Sequence, residues 1–145
     1  MRVGEDMREI LFRGKTEKGE WVYGDLMIGA DGAPAIYERL TGAGYVCRAG
    51  RRVLPESVGQ YTGLTDGSGK RIFEGDIVKA QDDVFGSPFE HGIIGKIVYD
   101  ECAFFIEPKN PMDSQWMYDE CAVYEVIGNI HDNPEILKGA DDERN

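Results

Sequence analysis

The chain leaves almost no room for a long helix: only residues 112–127 run sixteen positions without a glycine or a proline. Glycine fills 19 of 145 positions, about twice its usual share, and with 6 prolines it interrupts every other stretch. An internal glycine costs a helix about 1 kcal/mol and a proline about 3, so the pattern steers the chain toward short strands joined by turns. A chain of this length forms one core by default and buries roughly two-thirds of the surface that its unfolded form exposes.

The segments between turns read as strands. Ile10-Leu11-Phe12 and Trp21-Val22-Tyr23 flank the polar loop Lys15-Thr16-Glu17-Lys18-Gly19 and predict a hairpin. Leu26-Met27-Ile28 continues its second strand, with a bulge expected at Gly24. Turns at residues 30–34 and 41–44 introduce the strands Ala35-Ile36-Tyr37 and Tyr45-Val46-Cys47. In the second half, residues 93–100 alternate with period two, which turns Ile93, Ile97 and Tyr99 inward. Strands are also expected at residues 76–80, 103–106 and 124–127. Residues 112–121 fit a helical stripe through Met112 and Trp116, or a strand at Trp116-Met117-Tyr118, and the strand is preferred. Asn133 as N-cap, Pro134 at the first helical position and Gly139 as stop predict one closing helical turn. The expected fold is mainly β with little helix. It combines an N-terminal hairpin region with a small bent antiparallel sheet or SH3-like barrel in the C-terminal half.

Residues 1–6 are expected to be an extension, residues 7–137 a single domain and residues 138–145 a flexible tail. The linker-like Asp66-Gly67-Ser68-Gly69 allows a division into 7–64 and 70–137. Charge shifts at the same place. Residues 1–60 hold nine basic and nine acidic side chains, whereas residues 61–145 hold seven and eighteen, so the whole net charge of −11 sits in the second half. Phosphate backbones are bound by displacing counterions with Lys and Arg, so direct nucleic-acid binding and anionic membranes are not expected. Cys47, Cys102 and Cys121 are odd in number and widely spaced, which argues against a disulfide framework. No secretion signal or apolar membrane span is legible, so a cytoplasmic protein is expected.

Two stretches stand out. Residues 58–78 contain Gly59, Gln60, Tyr61, Gly63, Asp66, Gly67, Gly69, Glu74, Gly75 and Asp76, and residues 127–135 contain Gly128, Asn129, Asn133 and Pro134. These residues predict backbone work: glycines for positive φ or close approach, and Asp66 or Asp76 accepting hydrogen bonds from amides one or two residues ahead. The rival reading makes Asp66, Glu74 and Asp76 a carboxylate site for a hard cation, but the alternating D-x-D-x-D-G of a calcium loop is missing.

Across these stretches, and at its Met7-Arg8-Glu9-Ile10-Leu11-Phe12-Arg13 start, the chain resembles the YopX family of phage and prophage proteins. The resemblance covers nearly all of residues 7–137. It implies origin in a phage or integrated element within a bacterial host, a β-containing fold and a multi-subunit assembly, and it brings no biochemical activity with it.

Catalytic chemistry has few candidates. His91 reads as a loop residue and His131 as part of a chain turn. Pairing of Cys102 or Cys121 with His131 is opposed by Asp100-Glu101 and Asp119-Glu120, whose charges raise a neighbouring thiol pKa. Neither a phosphate-binding P-loop nor a nucleophile elbow is present. No cofactor or metal is expected, and the chain is not read as an enzyme. The basic cluster Arg48, Arg51 and Arg52, with Arg39 upstream, reads as a turn that clamps an anion, or as one that pairs with the acidic second half. The leading expectation is a non-catalytic accessory protein that forms homo-oligomers and binds a host or phage macromolecule. The alternatives are an acidic mimic of nucleic acid that blocks a host DNA-binding or defence protein, and an oligomer that captures a small anionic nucleotide at the arginine turn.

Overall fold

The computed structural model describes residues 7–39, 50–82, 85–87, 89–117 and 123–142. The fold is mainly β, with one α-helix among the described residues, and the chain divides into two compact units between Gly63 and Leu64.

In the first unit, β1 (Phe12–Lys15) and β2 (Trp21–Ile28) form the expected hairpin, in register from Phe12 opposite Gly24 to Lys15 opposite Trp21. β2 pairs with β3 (Pro34–Glu38), which pairs with the two-residue edge strand β4 (Arg51–Arg52), while β1 takes β5 (Gly59–Thr65) on its other side. All these pairings are antiparallel, in the order β4-β3-β2-β1-β5. The alternation of β2 and β3 turns Val22 and Ile36 into a core that Val53 completes. Gly24 carries no bulge: it faces Phe12 on one side and Glu38 on the other in an unbroken register. The glycine is needed there because a Cβ would stand 2.0 Å from the Tyr37 carbonyl oxygen. The strand expected at residues 45–47 lies outside the described residues.

The second unit begins in β5 and continues through β6 (Arg71–Phe73), β7 (Asp76–Gln81), β8 (Ile93–Asp100), β9 (Ala103–Glu107), β10 (Gln115–Trp116) and β11 (Val123–Asn129). Its five-stranded antiparallel sheet has the order β10-β9-β8-β7-β11. Among the described residues the outer strands β10 and β11 do not pair with each other, so the sheet is open rather than an SH3-like barrel. Val78, Ala80, Ile97, Ile106, Phe89, Ile72 and Tyr124 form its core. The inward face of β8 holds for Ile97, but Tyr99 at the strand end is 55% exposed, with its ring edge-on to Phe104. Gln115 and Trp116 pair with Ile106 and Phe105, as the strand reading of that stretch requires.

β8 and β9 are joined by Glu101 and Cys102 alone, with Asp100 opposite Ala103. Both loop residues have positive φ, +47° and +65°. A left-handed conformation costs a residue with a Cβ roughly 1–2 kcal/mol, and Asn-Gly suits such a turn. The double variant Glu101→Asn, Cys102→Gly should therefore gain about 1 kcal/mol in urea unfolding. An unchanged midpoint would count against strain at this turn.

The C-terminal helix α1 (Glu135–Asp142) is longer than the single turn expected from Gly139 as a stop. Helix runs through Gly139 because Ile136, one turn earlier, is anchored on β11: its Cδ1 stands 2.7 Å from where a Cβ on Gly128 would be. Residues 138–142 are thus helical rather than tail, and residues 143–145 lie outside the described residues.

Candidate functional site

The described part of the arginine cluster is a strand rather than a turn. Arg48 lies outside the described residues, while Arg51 and Arg52 sit on β4, held against Ala35 and Ile36 of β3. With Thr16, Glu17 and Lys18 of the β1–β2 loop they line an open cleft of about 340 Å³. The guanidinium of Arg51 is hydrogen-bonded to Glu20 and stands 3.7 Å from Glu38. Arg52, four-fifths exposed, stands 3.7 Å from Asp31. The hydrogen bond from Arg51, followed by its charge, lowers the pKa of Glu20. Arg39 makes a two-oxygen contact with Asp25, and this hydrogen bonding lowers the Asp25 pKa against the effect of burial. Among the described residues, the carboxylates that meet these arginines are Asp25, Glu20, Glu38 and Asp31, all in the first half of the chain. Their spacing in the sequence gives no sign of this, because sheet pairing brings them together. Glu17, Glu20, Glu38 and Asp31 offset the charge of Lys18, Arg51 and Arg52 around the cleft, which gives anion capture little support.

The first glycine-rich motif is consumed by the backbone. Asp66 closes the β5–β6 hairpin: its Oδ1 accepts hydrogen bonds from Ser68 N (2.9 Å), Ser68 Oγ (2.7 Å) and Lys70 N (2.9 Å). Its Oδ2 accepts Val126 N at 3.1 Å, sixty residues away on β11. Burial acts to raise the Asp66 pKa, but the bonds from Ser68, Val126 and Lys70 outweigh it and hold the group below the ordinary aspartate range. Gly67 adds a bond from its N–H to Tyr124 O at 2.9 Å, so the hairpin tip covers the outer margin of β11. Asp76 also binds an amide, but the donor is Phe73 N at 2.8 Å, three residues behind rather than ahead. Between them Gly75, at φ +92°, donates to Ile97 O and accepts from Ile130 N, both at 2.9 Å. Gly63 and Gly69 also have positive φ, and Glu74 is half-buried in the β6–β7 turn. Gly59, Gln60 and Tyr61 lie on β5, where Gly59 and Gln60 face Arg13 and Phe12, and Tyr61 N donates to Leu11 O. N–H groups aimed at the Asp66 oxygens occupy the positions that a cation would need, which opposes the carboxylate-site reading. Among the described residues no three metal-ligating side chains cluster.

The second motif seats α1. Asn129 Oδ1 accepts His131 N and Asp132 N, each at 2.9 Å, and Asn133 Oδ1 accepts Asn129 N at 3.3 Å. Asn133 therefore caps backward onto the end of β11, while its carbonyl receives Ile136 N. Pro134 directly precedes the helix, and Gly128 follows the register shift in β11 that lets Ile136 approach. His91 is exposed in a turn, Cys102 is exposed on the β8–β9 hairpin, and Cys47 and Cys121 lie outside the described residues.

This architecture is found in solved structures, and the sequence carries the same signal: a family model described as YopX protein matches residues 11–138. The chain belongs to the YopX family. It is similar to the crystal structure of YopX from Bacillus subtilis, with a TM-score of 0.55 and 20% identity, covering 89% of this chain and 98% of that one. Protein EF1440 from Enterococcus faecalis is similar at a TM-score of 0.55 and 24% identity, covering 90% and 99%. No curated protein matches. In this YopX-family chain no helix among the described residues is long and apolar enough to cross a membrane.

One outward-facing patch of the second unit is apolar. Residues next to buried Ile97 and Ile106 point away from the core, so Val98, Phe105 and Trp116 form a cross-strand row on the opposite face. Trp116 is 65% exposed, and its ring meets Phe105 edge-on with centroids 6.0 Å apart. Met112 just upstream is also exposed. The exposed face of Trp116 was not legible in the sequence, because strand aromatics ordinarily turn inward.

Proposed function

We propose that this YopX-family chain is a non-catalytic accessory protein of a phage or prophage, acting in the bacterial cytoplasm by self-association and by binding a host or phage macromolecule. The observation that carries the reading is the outward-facing row of half-buried Val98 and Phe105 with exposed Trp116, set on the unit that holds the whole net negative charge. A contiguous apolar patch at a sheet margin marks a contact surface, and carboxylate-rich surroundings favour a basic protein over nucleic acid. The motif residues support a scaffold role, since the polar groups of Asp66, Asp76, Asn129 and Asn133 hold backbone amides.

Light scattering on a sizing column should give a mass above that of one 16.2 kDa chain. Co-purification from a bacterial host that carries the element should retain a defined partner. A monomer at every concentration that retains no partner would end the proposal.

A further inference from the structure

The two margins of the second sheet differ. At β11 the hairpin tip supplies partners on the outer side, with Gly67 N donating to Tyr124 O and Asp66 Oδ2 accepting Val126 N. β10 has no such cover among the described residues. Its register sets Gln115 opposite Ile106 and Trp116 opposite Phe105, and Met117 N donates to Phe104 O at 3.1 Å. Backbone groups alternate in direction along a strand. The N–H and C=O of Gln115 and Met117 thus face β9, and those of Trp116 face outward. Trp116 presents at one point an outward donor, an outward acceptor and an exposed indole.

We infer that this margin receives an extended basic peptide, which pairs its backbone with Trp116 and lays an apolar side chain against Trp116 and Phe105. Such strand addition draws affinity from main-chain hydrogen bonds and selectivity from alternate side chains. The charge of the unit selects the occupant. From Leu64 to Asn145 the chain carries eighteen acidic and seven basic residues, and Asp113 is exposed just before β10. A second copy would bring like charge to this edge, whereas a lysine-rich strand is drawn to it. The inference rests on the proposed binding role and adds its surface, its mode and the chemistry of the partner.

The probe is a labelled ten-residue peptide alternating lysine and valine, titrated into the full chain and followed by amide NMR. Shifts are expected at Gln115, Trp116, Met117, Phe105 and Val98, with affinity falling as salt rises. A glutamate–valine peptide should bind at least about tenfold more weakly, as should the lysine peptide N-methylated on alternate residues. Trp116→Ala should cost about tenfold, a loss typical of a buried aromatic anchor. Trp116→Pro removes the outward N–H together with the indole and no bond to β9, so it should cost more than Trp116→Ala. Equal binding of the two charge types, or insensitivity to N-methylation, overturns the inference. Shifts confined to other residues overturn it and leave the binding role standing. Concentration-dependent shifts at Gln115–Met117 without peptide place a second copy on the edge, which overturns the inference and supports self-association.

Discussion

Asp66→Ala is expected to destabilise the second unit by about 3–5 kcal/mol, because it removes one buried acceptor and strands several donors at once. The Asp66 side chain is 8% exposed and accepts from Ser68 N, Ser68 Oγ, Lys70 N and Val126 N. Each buried amide left without a partner costs about 1–3 kcal/mol, and only those at the hairpin tip have ready access to water. Asp66→Asn keeps an oxygen for the tip but turns an NH₂ toward Val126 N, so its loss should be about 1–2 kcal/mol. The pH dependence has a definite sign. The pKa is depressed in the folded chain, so the contribution is fully present above the unfolded value of about 3.9 and fades as pH falls through the folded value. Urea midpoints should accordingly fall more steeply below about pH 4 in the wild type than in Asp66→Asn. Parallel pH curves for the two proteins would deny Asp66 this role.

The second large effect is expected at Gly24. Its ideal Cβ stands 2.0 Å from Tyr37 O and 2.7 Å from Tyr37 C, and backbone flanks it on both sides because β2 lies between β1 and β3. A clash with backbone in the middle of a sheet cannot be relieved by turning a side chain. Gly24→Ala should cost about 3 kcal/mol, the upper end for overpacking, with a visible loss of β signal in circular dichroism. At Gly32, where nothing lies within 4 Å but φ is +83°, alanine should cost only the conformational strain of about 1 kcal/mol. A Gly24→Ala protein no weaker than Gly32→Ala would show that β2 and β3 separate more easily than their pairing implies.

These two sites mark where the sequence was legible and where it was not. Turn residues bracket the strands, so the hairpin of β1 and β2, the strand β3 and the sheet from β7 to β11 follow from local chemistry. The bulge expected at Gly24 fails for a non-local reason: what requires glycine is a neighbouring strand, and no residue adjacent in sequence reports it. The same holds for Asp66, whose turn is readable from Asp66-Gly67-Ser68-Gly69 while its bond to Val126 spans sixty residues. Gly139 reads as a stop on local propensity, yet a cost of about 1 kcal/mol is overridden once Ile136 docks at Gly128. Arg51 and Arg52 read as a turn because two residues are too few to show a period, and only pairing with β3 makes them a strand. The acidic balance was legible from composition, whereas the outward row of Val98, Phe105 and Trp116 emerges only when β8, β9 and β10 are set in register.

The hairpin tip seated on β11 has a consequence for assembly. Endless stacking of sheets into a fibre demands that every member offer two reactive sides, one to receive and one to extend. With Tyr124 O and Val126 N already engaged by Gly67 and Asp66, the described residues leave β10 as the open side of this sheet, which disfavours edge-to-edge growth beyond one addition.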